Sequence, residues 1–177
     1  MRRALAVFAV GLAALLLQSA LATLLPLQAV PDLGLLMVVA AALVLGPAEG
    51  LLVCAGLGLG ADMLSGSLLG QQATLRLFEF VVTRSLASQL DLVRPLPLAV
   101  YAAGLSLVDA LGMAGLTRLF LGGFPVTPRD AALLAARSAV NGLVAPGVAG
   151  AVRRLARRLA EEEARREMRL ETRRPVL

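Results

Sequence analysis

The sequence has no histidine, no tryptophan and no lysine, and holds a single cysteine (Cys54) and a single tyrosine (Tyr101). Without histidine, the commonest metal ligand and proton-transfer side chain is missing. Serine-type intramembrane proteolysis loses its usual base, and the zinc-protease helix H-E-x-x-H is excluded. One thiol makes neither an internal disulfide nor a cysteine-rich metal cluster. No phosphate-binding P-loop is present. Charge is also scarce: 16% of residues are charged, against about a quarter in soluble domains.

What fills the space is apolar. Leucine (41) and alanine (32) dominate 177 residues, and the hydrophobic fraction is 58%. That composition, with a mean hydropathy of +0.81, points to a polytopic membrane protein of a single domain. The Arg-only, Ala/Leu-rich usage matches a GC-rich coding background and carries little functional meaning.

The net charge of +5 sits at the ends. Arg2 and Arg3 open the chain, and residues 153–177 hold nine Arg and five Glu. The body from 4 to 152 is slightly acidic. Basic flanks mark the cytoplasmic side, so both ends are expected there, which requires an even number of crossings. The tail's Glu161–Arg165 and Glu162–Arg166 spacings suit i,i+4 pairs on a solvated helix, and no nucleic-acid partner is expected. The uncharged run from Ala4 to Pro31 is 28 residues long. It exceeds the roughly 7–15 residues of a signal-peptide core and is expected to stay as a first helix.

Six apolar segments follow, at about 4–25, 33–45, 49–64, 73–90, 98–121 and 131–152. The expected architecture is an all-α, six-transmembrane-helix bundle over 1–152 with a basic helical tail at 153–177. Parity places 46–49 and 91–97 on the cytoplasmic side. Segments two and three, at about 13 and 16 residues, are short against the usual ~20. They allow a half-depth hairpin as the alternative to full spans.

Several residues stand out against this background. Glycines recur four apart at Gly46/Gly50, Gly56/Gly60 and Gly66/Gly70, a spacing that brings helix backbones close. Asp62 closes segment three and Asp109 lies within segment five. Ionisable residues at such depth mark a function or a buried partner. Asp62 is expected to cap the turn through Ser65–Ser67, and Asp109 to pair with Arg118 or Arg137. Arg76, Glu79 and Thr83 share one helix face. That face either meets a partner, lines a polar cavity or lies among headgroups. Asn141 can hydrogen-bond a neighbouring helix. An aspartyl-protease dyad of Asp62 and Asp109 is a minor alternative, since Gly60-Ala61-Asp62 does not keep the Gly-x-Gly-Asp spacing.

Pro31-Asp32-Leu33-Gly34, then Gly46, Gly50, Gly56 and Gly60, lead into Asp62-Met63-Leu64-Ser65-Gly66-Ser67-Leu68-Leu69-Gly70. This series, with Asn141-Gly142, Pro146 and the basic tail, resembles the rod shape-determining protein MreD family. The D-x-x-S-G-x-x-L-G element is its most specific part, and the likeness runs over nearly the whole chain. Few aromatics, the Arg76/Glu79 stripe and the longer tail depart from the family pattern.

The resemblance implies a non-catalytic scaffold of the bacterial elongation machinery in the inner membrane, without cofactor. It would bind the transmembrane helix of MreC, act with MreB, RodA and a class B penicillin-binding protein, and direct lateral peptidoglycan synthesis and cell shape. It also implies a bundle similar to the substrate-binding component of energy-coupling-factor vitamin transporters. That component is the alternative function, with Arg76, Glu79, Asp109 and Asn141 as candidate ligand contacts. Membrane lipids and a second copy of the chain are further expected partners.

Overall fold

A computed structural model describes residues 1–66, 69–121 and 128–171. It contains six α-helices: α1 (Arg2–Leu24), α2 (Leu33–Val44), α3 (Pro47–Ser65), α4 (Gln71–Leu86), α5 (Pro95–Leu121) and α6 (Pro128–Glu171). A single 3₁₀ turn, Leu27–Ala29, joins the first two. There is no strand among the described residues. Four helices are long and apolar enough to cross a membrane: α1, α3, residues 95–116 of α5 and residues 130–165 of α6.

Local chemistry sets the boundaries. Asp32 caps α2, its Oδ1 accepting the Leu35 N–H at 2.9 Å, which satisfies one of the helix's orphan donors. Gly46 is extended (φ −66°, ψ 164°), the conformation favoured before proline. Pro47 then takes the first turn of α3, where a missing N–H costs nothing. Gly66 ends α3 in the left-handed region at φ +63°, open without strain to a residue lacking Cβ. Pro146 lies inside α6 without ending it.

Segments three and six resolve differently, and segment two keeps its expected length. Segment three is a 19-residue helix and not a short one, because Pro47 and Ala48 belong to its first turn. Segment two is a 12-residue helix, about 18 Å long at 1.5 Å per residue. Ten of its residues are buried, and it packs against α1, α3, α4, α5 and α6. A helix apolar on every side belongs inside other structure, and α2 is the centre of this bundle. Segment six does not stop at Val152; the helix runs on to Glu171, so residues 153–171 of the tail continue α6.

Close approaches at glycine draw the other helices around α2. Gly11 of α1 faces Leu57 of α3, and Gly56 of α3 faces Phe8 of α1. On the other side of α3, Gly50 lies under the Phe80 ring and Gly58 against the backbone of Ala73, both on α4. Gly142 of α6 abuts the Ala99 carbonyl of α5.

Contacts at the ends order the bundle. Arg3 pairs with Glu163 at 3.4 Å, and the terminal amino group with Glu49 at 3.1 Å. Arg153 donates to the Leu92 and Val93 carbonyls, and Arg84 to the Leu45 carbonyl at 2.7 Å. The N-terminus, the 45–49 and 87–94 connections and the far half of α6 thus share one end. Asp32, Ser65 and Gln72 lie at the other.

Beside its apolar core the bundle buries eight polar or charged side chains among the described residues and leaves many apolar ones exposed. Asp32, Asp62, Arg76, Glu79, Thr83, Ser106, Ser138 and Asn141 are buried, while Leu52, Met63, Leu111 and Leu143 are among the many exposed large apolar side chains. On α4 the buried face carries Arg76, Glu79 and Thr83. Its exposed face carries Phe78 and Val81.

Candidate functional site: a buried charge cluster and its cleft

Arg76 is the hub. Its position on α4, i,i+3 from Glu79, puts both on the inward face. Nη1 donates to Glu79 Oε2 at 2.8 Å and Oε1 at 3.0 Å. Nη2 donates to the Asp32 oxygens at 3.1 and 3.2 Å and to Gln72 Oε1 at 3.4 Å. Asp109 of α5 completes the ring, with Oδ1 at 3.6 Å from Nη1. Arg137 of α6 reaches Asp32 Oδ2 at 3.3 Å. A planar guanidinium with five donors suits such multiple carboxylate contacts, and one side chain ties α2, α4 and α5 together.

Asp109 therefore pairs with Arg76, and neither with Arg118 nor with Arg137 as the sequence suggested. Arg118 is exposed, and Arg137 is engaged with Asp32. The Arg76/Glu79/Thr83 face points into the bundle, where all three side chains are buried. Chain order could not show this, because Asp32 lies 44 residues from Arg76.

A neutral polar network continues beside the cluster. Asn141 Oδ1 accepts the Asp32 N–H at 2.6 Å, and its Nδ2 donates to Ser106 Oγ at 2.7 Å. Ser138 donates to the same oxygen. Thr83 donates to the Glu79 carbonyl and accepts from the Tyr101 hydroxyl at 2.8 Å. Buried polar groups of this kind are stable only when paired, so the network also fixes helix register.

A cleft of about 200 Å³ opens beside the hub, lined by Gln18, Asp32, Gln72, Arg76 and Arg137 among polar groups and by Leu15 and Leu64 among apolar ones. Glu79, Asp109 and Asn141 are not in its lining. It lies at the end opposite the N-terminus. Gln18 also accepts the Gly34 N–H at 3.2 Å, which ties the cleft wall on α1 to the start of α2.

Asp62 serves a separate purpose. It is 1% exposed, and its carboxylate accepts the N–H groups of Gly70 and Gln72, each at 2.8 Å, and Ala73 at 3.4 Å. These are donors at the start of α4 that no helical carbonyl satisfies. Ser65 donates to the Asp62 carbonyl at 3.3 Å. The expected cap is therefore real in kind, but it holds the next helix and not just the Ser65–Ser67 turn; Ser67 itself lies outside the described residues.

The remaining motif residues divide by role. Gly66 and Gly70 (φ +94°) supply turn conformations and form no helix face. Gly50 and Gly56 pack against aromatic rings, Gly60 faces Leu12, and Gly46 faces open space. Gly142 holds the α5 contact. Pro31 is half-buried in the turn before α2, and Leu69 is exposed.

Sequence reasoning missed Asp32, Ser106, Gln18 and Gly58. For Asp32 the signal was present: an acid straight after Pro31 and three residues before Leu35 is a helix-cap pattern. Asp62 and Asp109 engage different partners, Asp62 the α4 backbone and Asp109 the Arg76 guanidinium. Comparison of the chain with protein-family profiles, with curated proteins and with solved structures gave no match.

Proposed function

We propose that the chain is a non-catalytic, six-helix membrane scaffold of the MreD type, which seats MreC and helps the elongation machinery direct lateral wall synthesis. One observation carries this reading. The residues of the MreD-like pattern (Asp62, Ser65, Gly66 and Gly70, with Asn141 and Gly142) all cap, turn or pack helices, so the pattern describes a rigid frame. The many exposed apolar side chains and the paired charges inside support a membrane setting, since lipid rewards an apolar exterior and tolerates charge only when it is paired inside. The arginines at the N-terminal end support cytoplasmic termini.

Depletion in a rod-shaped host should give round cells, and MreC should co-purify with the tagged chain. Rods of normal width after deletion would sink the proposal. A second reading, a vitamin-binding transporter component, draws on the cleft beside Arg76 and Arg137, since a ligand site needs a concavity with a few convergent polar groups. Native mass spectrometry of the purified chain decides between them: a stoichiometric small molecule favours the transporter component, and MreC alone favours the scaffold.

A further inference from the structure

We infer that the cleft beside Arg76 is a binding site for a phosphate group, supplied by the headgroup of a membrane phospholipid. The inference goes beyond the scaffold proposal and shares with it only the membrane setting, so its test does not involve MreC.

The donors and acceptors of the cleft are set by what already engages them. Gln18 Oε1 accepts the Gly34 N–H, and Gln72 Oε1 accepts from Arg76 Nη2. Both partners can only donate, so each amide must use its oxygen there. That leaves both side-chain NH2 groups without a protein acceptor among the described residues. Arg137 engages one nitrogen, Nη2, with Asp32 Oδ2 at 3.3 Å. Its Nε is a buried donor with no partner, and such a group calls for an explanation. The carboxylate in the lining, Asp32, is saturated by the Leu35 N–H, by Arg76 Nη2 and by Arg137. Glu79 and Asp109 lie on Arg76 Nη1 and are outside the lining. Arg76 is thus committed to carboxylates, and Arg137 supplies the cleft's free positive charge.

What the amide and guanidinium groups offer is N–H, and what they fit is an acceptor-rich anion. Gln18, Gln72 and Arg137 come from α1, α4 and α6, so the donors converge from three helices. A tetrahedral phosphate has oxygens for all three, whereas a carboxylate presents two in one plane. Space and surroundings then choose the source. The cleft's 200 Å³ or so falls short of the roughly 300–1,000 Å³ of pockets that enclose drug-sized ligands. That size suits a headgroup. Leu15, Ala22 and Leu64 form an apolar part of the lining, and Leu64 is half exposed on the outer surface. Acyl chains therefore have an apolar exit beside the polar pocket, which a free phosphate ion does not need.

The test is native mass spectrometry of the delipidated full chain in detergent, titrated with phosphatidylglycerol. Diacylglycerol with the same acyl chains is the control that lacks the phosphate. Wild type should bind one phosphatidylglycerol and no diacylglycerol. Gln18→Glu and Gln72→Glu keep the oxygen that Gly34 and Arg76 require and replace the NH2 with an oxygen that repels the phosphate. Each should weaken phosphatidylglycerol binding about tenfold or more, as loss of a hydrogen bond to a charged group does. Arg137→Gln should weaken it at least as much, whereas Arg154→Gln, exposed at the opposite end of the bundle, should leave it unchanged. If Arg137→Gln fails to fold, the two glutamate variants carry the result. Excess inorganic phosphate is the remaining arm. Displacement of the lipid supports a site that reads the phosphate alone, and retention of the lipid supports one that reads its glycerol and chains as well. The bound lipid is identified by its mass, which separates it from the small molecule of the transporter reading. Three results each overturn the inference: no phosphatidylglycerol on wild type, diacylglycerol bound as tightly, or phosphatidylglycerol binding unchanged in the folded glutamate variants.

Discussion

Gly58→Ala is the most direct probe of how the frame is held. A Cβ built on Gly58 would sit inside the contact distance of the Ala73 Cα, 2.8 Å from the Ala73 nitrogen and 3.0 Å from the Gln72 carbonyl oxygen. Carbon contacts are comfortable at about 3.5–4.0 Å, so α3 and α4 must part by roughly 1 Å. The obstructing atoms are backbone, and Asp62 pins them through the Gln72 and Ala73 amides. No rotamer change relieves them. Overpacking of this kind costs about 1–3 kcal/mol, against a helix-propensity gain of about 1 kcal/mol for replacing glycine by alanine. Gly104→Ala on α5 collects the same gain in open space. Gly58→Ala should therefore be less stable than Gly104→Ala by about 1–3 kcal/mol. Gly60→Ala should fall between them, since its added Cβ meets the flexible end of Leu12 at 3.3 Å. Thermal or denaturant melts in detergent measure the order. Equal midpoints for the first two variants would refute the close α3–α4 approach.

Three further outcomes follow from particular contacts. Asp62→Ala strips the α4 donors of their acceptor and should cost about 1–3 kcal/mol, read as a lower melting midpoint; an unchanged midpoint would deny the cap. Asn141→Leu leaves the Asp32 N–H and the Ser106 hydroxyl to find new partners and should also cost about 1–3 kcal/mol, whereas the reverse change at exposed Leu143, Leu143→Asn, should leave the α5–α6 contact intact. Cys54 has no exposed surface, so maleimide should modify it only as the chain unfolds. Modification of the folded protein at a free-thiol rate would contradict its place in the core.

The helices themselves were readable because their signals are local. Long uncharged runs, prolines at 47 and 95 and glycines at 66 and 70 sit where helices start and stop, and backbone sterics act within a few residues. The i,i+3,i+7 spacing of Arg76, Glu79 and Thr83 likewise placed them on one face before any fold was known. Which way that face points was not readable. A charged stripe on a weakly apolar helix suits headgroups as well as a core, and the choice depends on Asp32 and Asp109 arriving from other helices. The glycine spacing misled for a related reason. A four-residue interval selects one face of an isolated helix, and it singled out Gly56 with Gly60. The tightest backbone contact is at Gly58, where α4 crosses, and Gly66 with Gly70 belong to a turn.

The sequence alone determined an all-helical chain with basic ends and six apolar segments, since composition and short-range spacing decide those. The structure has four helices long and apolar enough to cross a membrane where six spans were expected. Only the tertiary structure decided that the shortest helix, α2, is the centre. Only it decided that Arg76 is shared by Asp32, Glu79 and Asp109, and that three carboxylates there face two guanidinium groups. Charge pairing across 44 residues depends on distances that helix crossings create, and no local periodicity encodes them.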